Sequence, residues 1–153
     1  MPRIETEIEV KCRPEEAFDY LTDLRNAPEW STEVVDVRYD GELARGTTGK
    51  DVRKMGRKQI VMPWTVTEFE HARRLVLEYG QPFPATADFS FAATKTGTVV
   101  KCETDLRLRG WWRLLGPIIA KEARKADEIQ FDKAKAILEA RYAMRVGEER
   151  STA

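Results

Sequence analysis

Histidine and cysteine are almost missing from this chain. His71 is the one histidine among 153 residues, and Cys12 and Cys102 are the two cysteines. A single histidine excludes a histidine-based metal cluster and makes a Ser-His-Asp triad a poor fit. Two distant cysteines are too few for a disulfide framework and too isolated for a thiolate metal site, so reduced, partly buried thiols are expected. Net charge is missing as well. The 26 Lys and Arg residues balance 26 Asp and Glu, which leaves no overall field to draw in nucleic acid or an acidic membrane. No run approaches the roughly 20 apolar residues that span a bilayer, so no integral membrane segment is expected. The opening MPRIETEIEV lacks the apolar run of a signal peptide, and a cytoplasmic location is the expectation. Repeats and low-complexity linkers are absent too, and the length suits one domain with a real core.

What is present is a succession of two periodicities. In RIETEIEVKC, Ile4, Thr6, Ile8, Val10 and Cys12 alternate with charged or polar neighbours, the pattern of a half-buried strand. RPEEAFDYLTDL reads as a helix: Pro14 suits its first turn, Glu15 and Glu16 its positive end, and Ala17, Phe18, Leu21 and Leu24 share one face. RNAPEWS reads as a loop or a second short helix, with Pro28 and Trp30. Six strand-like segments follow, at 33–40, 48–55, 58–70, 74–80, 85–94 and 98–110. Gly41, Gly46, Gly56, Gly80 with Pro82 and Pro84, and the KTG at 95–97 punctuate them. Short connections imply antiparallel hairpins, and Pro63 marks a bulge or irregular spot in the fourth strand. Residues 111–145 hold no good strand and read as helical, interrupted at Gly116-Pro117, with the long helix starting near Pro117. The domain is expected to cover 1–145, with 146–153 a flexible tail.

The long helix poses a question. With about 100° of rotation per residue, Ala126, Ala134, Ile137 and Leu138 fall within about 60° of Ala123, an apolar stripe facing the core. Gln130 lies about 20° from the middle of that stripe. A core-facing helix has placed a glutamine and several alanines where leucines would pack better.

The order of strand, helix pair, six strands and long helix resembles the helix-grip fold of the START-like (SRPBCC) superfamily, in particular its polyketide cyclase/dehydrase-like branch. IEVKCRPEEAFDYLTDLRNAPEW is similar to the family's opening strand, its Pro-Glu-x-x-Phe/Trp helix and its Pro-x-Trp corner. WTVTEFEHARRLVLE is similar to the central hairpin, GTVVKCETDLRL to the penultimate strand, and LGPIIAKEARKADEIQFDKAKAILE to the closing helix. The resemblance implies an α+β domain, a seven-stranded antiparallel sheet curled around a long C-terminal helix, with two short helices after the first strand. It also implies a cavity between sheet and helix. A helix that roofs a cavity need not be packed to full density, and Gln130 then offers an amide to a ligand or trapped water. If first and last strands pair as in the family, Cys12 and Cys102 lie on neighbouring strands.

On this reading, alternate strand residues make an apolar trough with a few polar points. The expected lining is Trp30, Met62, Trp64, Tyr79, Phe89, Phe91, Thr104, Ala126, Gln130 and Ala134. Asp51, Arg53 and Glu78 are the charged residues within strands, and a solvated outer face is the expectation for all three. His71 is expected exposed in a turn, and KDVRKMGRK as a solvated hairpin tip. No catalytic motif is evident, and no cofactor, metal or nucleotide is expected.

The function implied is binding of a lipophilic small molecule, polyketide-, lipid- or quinone-like, with no nucleic acid partner and with a homodimer left open. One alternative is an aromatase/cyclase, for which Asp51, Arg53, Glu78 and Gln130 are the inward polar candidates. The other is an interaction domain, like family members that regulate a chaperone ATPase or a ribosomal partner.

Overall fold

The computed structural model describes residues 3–152, with side chains described for residues 3–141. Strand β1 (Arg3–Val10) is followed by helix α1 (Pro14–Thr22), a 3-10 turn (Leu24–Asn26) and helix α2 (Ala27–Trp30). Strands β2 (Val34–Arg38), β3 (Thr48–Met55), β4 (Lys58–Glu70), β5 (Arg74–Tyr79), β6 (Ala85–Ala93) and β7 (Thr98–Leu106) come next. A second 3-10 segment (Gly110–Leu115) leads into helix α3 (Gly116–Thr152). Helix α3 runs on through the segment expected as a tail, of which Ala153 lies outside the described residues.

All seven strands form one antiparallel sheet in the order β1-β7-β6-β5-β4-β3-β2. Hairpins join β2 through β7 in sequence, and β1 closes the other edge by pairing with β7, Arg3 opposite Asp105 and Val10 opposite Thr98. The sheet curls into a half-barrel around α3, which packs chiefly along β1. This is the helix-grip architecture expected from the order of elements. Among the described residues no helix is long and apolar enough to cross a membrane.

Pro63 does not bulge the strand. It pairs in regular register with Lys50 on β3, and its carbonyl accepts the Gly80 N–H at 2.9 Å. Carbonyl and nitrogen of one strand residue point the same way, so the nitrogen that lacks a proton faces off the end of the β4–β5 ladder, which starts at Trp64 and Tyr79. The irregularity sits instead at Thr67, where the β4–β5 register shifts between Val66 and Glu68. The shift lets Phe69, like Val66, pack on the core side, where its ring meets Phe18 at 5.5 Å.

Packing is uneven along α3. Ala134 and Leu138 are buried in the solid core with Phe18, Trp64, Val66, Leu75, Leu77 and Val100. The preceding turns of the helix face a different environment, in which Ala123, Asp127, Gln130 and Phe131 look onto a void. One close approach supports the core from the sheet. A Cβ on Gly49 would sit 2.3 Å from the Trp64 ring, so glycine at this position of β3 is what lets the indole lie across the strand.

Candidate functional site

A cavity of about 360 Å³ lies between the concave face of the sheet and the first turns of α3. Strand alternation places Ala85, Ala87 and Phe89 of β6 and Cys102, Thr104 and Leu106 of β7 on its floor. Leu21, Leu24, Ala27 and Trp30 of the short helices close one side, with the Trp30 ring stacked on Phe131 at 6.0 Å. Ala85 and Ala87 on the sheet and Ala123 on the helix leave the volume that larger side chains would fill.

One wall is charged. Asp51, only 4% exposed, points inward from β3 and is held by three donors. The Trp64 indole donates to Oδ1 at 2.8 Å, while the Arg53 guanidinium and the Tyr79 hydroxyl donate to Oδ2 at 3.0 and 3.3 Å. Arg53 also lies over the Tyr79 ring, 5.0 Å from its centroid, and 3.7 Å from the Glu33 carboxylate. Burial opposes the charge on Arg53, but Tyr79, Asp51 and Glu33 around it raise its pKa, so it stays cationic. Burial and then the Asp51 carboxylate push the Tyr79 hydroxyl above the ordinary tyrosine range. Asp127 borders the same cavity from α3. Burial, with Glu33 adding to it and Arg53 opposing it, pushes its carboxyl up to about 6. Arg53 Nε and Trp30 Nε1 are buried and make no hydrogen bond among the described residues.

The inward Asp51 and Arg53 correct the expectation of a solvated outer face. Charged residues take the concave side of β3 because Trp64 and Tyr79 satisfy the carboxylate there, while Val52 and the half-exposed Val61 take the outer side. Glu78 is on the outer face as expected, paired with Arg107 and accepting the Thr86 hydroxyl at 3.1 Å.

Of the ten expected lining residues, Trp30, Met62, Tyr79, Phe89, Thr104 and Gln130 border the cavity, and Trp64, Phe91, Ala126 and Ala134 do not. Trp64 is in the core and reaches the site only through its bond to Asp51. Phe91 packs edge-on against Phe18 at 5.1 Å, and Ala134 is fully buried in the core. Ala126 is partly exposed on the flank of the helix. Gln130 has a structural partner: its Oε1 accepts the Ser31 hydroxyl at 2.6 Å, and Ser31 Oγ accepts the Val34 N–H at 3.0 Å. The glutamine thus ties α3 to the corner between α2 and β2.

The first and last strands pair as expected, with Cys102 of β7 opposite Thr6 of β1, but Cys12 lies just past the end of β1 rather than within it. Both cysteines are buried, and burial pushes the Cys102 thiol up. His71 lies in the β4–β5 turn, exposed, 3.0 Å from Asp19. The β3–β4 hairpin turns at Gly56 and Arg57 with its tip exposed, as expected.

Asp127, Glu33 and Phe131 are site residues absent from the expected lining. Asp127 carries a signal, since it lies about 40° from Ala123, inside the apolar stripe, by the same arithmetic that singles out Gln130.

Residues 1–141 match the family model described as polyketide cyclase/dehydrase and lipid transport. Among proteins with curated descriptions, none matches the sequence. Among solved structures, TTHA0849 from Thermus thermophilus superposes with a TM-score of 0.77 at 17% identity, over 91% of this chain and 98% of that one. The di-domain ARO/CYC StfQ from the steffimycin biosynthetic pathway also reaches 0.77, at 13% identity, over 93% of this chain and 52% of that one. SA2116 from Staphylococcus aureus reaches 0.72 at 16% identity, over 92% and 96%. At these identities the likeness is one of fold.

Two consequences are measurable. The Asp127 carboxyl rises from the ordinary 3.8 to about 6. The folded chain therefore holds a proton that the unfolded chain releases, and stability falls as pH climbs through that window. Asp127→Asn should be more stable than wild type by up to about 3 kcal/mol above the window, with the gain gone once the pH is below the ordinary carboxyl value, in urea unfolding series. Gln130→Leu leaves the buried Ser31 hydroxyl without its acceptor and should cost about 1–3 kcal/mol in the same assay at neutral pH.

Proposed function

The chain belongs to the polyketide cyclase/dehydrase and lipid transport family, and from that membership we propose that it binds a lipophilic small molecule carrying one polar end. The observation that carries this reading is the division of the cavity into an apolar body and a charged wall. Alanine, phenylalanine and leucine side chains face one part of it, and Arg53, Glu33, Tyr79 and Asp127 face another. Apolar volume with a few convergent polar groups is the usual build of a small-molecule site, and about 360 Å³ falls in the lower range for such pockets. The apolar body of a polyketide, lipid or quinone would lie against Phe89 and Phe131, whose rings meet at 6.4 Å. Its polar end would meet Arg53 and Asp127.

A second reading, an aromatase/cyclase-type enzyme, draws support from one observation. A carboxyl pushed up to about 6 exchanges its proton close to neutrality, which suits a general acid or base, and Asp127 is such a group, facing the same cavity as Arg53 and Tyr79. Catalysis on a flexible chain would then combine that proton transfer with orientation by the cavity walls. The ligand-free regulatory reading calls for a filled interior and loses support from the void.

The test is native mass spectrometry of the protein purified from its own host, followed by titration with long-chain acids, quinones and aromatic polyketides. Wild type should retain or take up a ligand. Ala123→Phe, which puts a ring into the cavity from the helix, should weaken that binding about tenfold or more while the fold persists. Uptake that is equal in the variant, or no uptake by wild type, contradicts the reading.

A further inference from the structure

The balanced charge of the whole chain conceals a segregated patch. Between Asp105 and Glu122 there is no acidic residue, while Arg107, Arg109, Arg113 and Lys121 are cations, of which Arg107 is paired with Glu78. This same stretch carries the largest group of exposed apolar side chains in the described part of the chain. Trp111 is 61% exposed, Trp112 40%, Leu114 84% and Ile118 62%. The two indoles stack on each other at 4.2 Å, and Trp112 also meets Phe83 edge-on at 6.2 Å.

The patch lies at the mouth of the cavity. Strand registers put the Met55–Lys58 tip of the β3–β4 hairpin, the 80–84 loop and the end of β7 at one end of the sheet. Met55, Phe83 and Trp112 border the cavity from these three places. The hairpin tip repeats the composition of the 3-10 segment: Met55 is 47% exposed among exposed Lys54, Arg57 and Lys58. The loop at 80–84, GQPFP, carries no charge.

We infer that this rim docks on the surface of an anionic lipid bilayer. Tryptophans whose rings are exposed beside arginines and lysines fit the boundary between headgroups and acyl chains, and each cation near an anionic surface adds to the attraction. An exposed apolar cluster of this kind marks a contact surface. A second copy of the chain fits it less well, because a two-fold contact sets a patch against itself and would face these cations with their own kind. Docked in this way, the cavity mouth opens toward the bilayer. The inference stands whatever the cavity holds.

Flotation of the full chain with phosphatidylcholine vesicles, with and without phosphatidylglycerol, tests it. Binding should require the anionic lipid and fall with salt. Tryptophan emission should shift to the blue on binding, a signal that reports the exposed pair because Trp30 and Trp64 are already buried. Trp111→Ser with Leu114→Ser, and separately Arg113→Glu, should each weaken binding about tenfold or more. All three positions are exposed, and unchanged urea unfolding will show that the fold is intact. Wild type that stays with the unbound fraction overturns the inference, and so does equal binding by the variants. A concentration-dependent dimer in sedimentation that the same substitutions dissolve would overturn it too, assigning the patch to self-association instead.

Discussion

Asp51 is a carboxylate held nearly out of water on the concave face of a sheet, and much of the site is arranged to satisfy it. A buried charge that loses its partner costs about 3–5 kcal/mol, so the donors around it are constrained together. Trp64 on β4, Arg53 on β3 and Tyr79 on β5 all turn inward to the same two oxygens. That requirement explains Gly49, whose missing side chain gives the Trp64 ring its place. It also explains why Arg53, itself paired, is held at the edge of an otherwise apolar cavity, where its charge acts on Asp127 across the void.

The long helix divides its labour along its length. Ala134 and Leu138 complete a dense core with α1 and the central strands, which anchors the helix against the sheet. The turns before them face a stretch of sheet that carries Ala85 and Ala87, and the cavity lies between. Gln130 sits at the junction of the two regimes and commits its carbonyl to Ser31, fixing the height of the roof relative to the α2–β2 corner. The small residues that look like poor core choices are the condition for an internal space, and their neighbours make that space polar at one side.

The strand and helix order was legible because hydrophobic alternation and turn residues agree over most of the chain. The segments at 48–55 and 58–70 coincide with β3 and β4 as observed. The orientation of β3 was not legible. Asp51 and Arg53 alternate with Val52, and local pattern alone assigns the valine to the interior; only cross-strand partners on β4 and β5, distant in sequence, reverse that choice. Pro63 misled for a related reason, since its tolerance depends on where the neighbouring ladder ends. Phe131 lies about 80° from Ala123, just beyond the stripe drawn from helix geometry, and its burial comes from Trp30 stacking on it. Trp64 and Phe91 share strand faces with true lining residues but lie nearer the core end of the sheet, a distinction of position along the strand that alternation does not carry.

The central claim is that the space beneath α3 receives the apolar body of a ligand and its charged wall receives the polar end. A crystal structure of the protein with a captured long-chain or polycyclic molecule tests that claim most directly. Ligand density is expected against Phe89 and Phe131, with a polar ligand atom in hydrogen-bond reach of Arg53 or Asp127. Density confined to the outer surface, or a cavity closed by repacking of these same side chains, would contradict it.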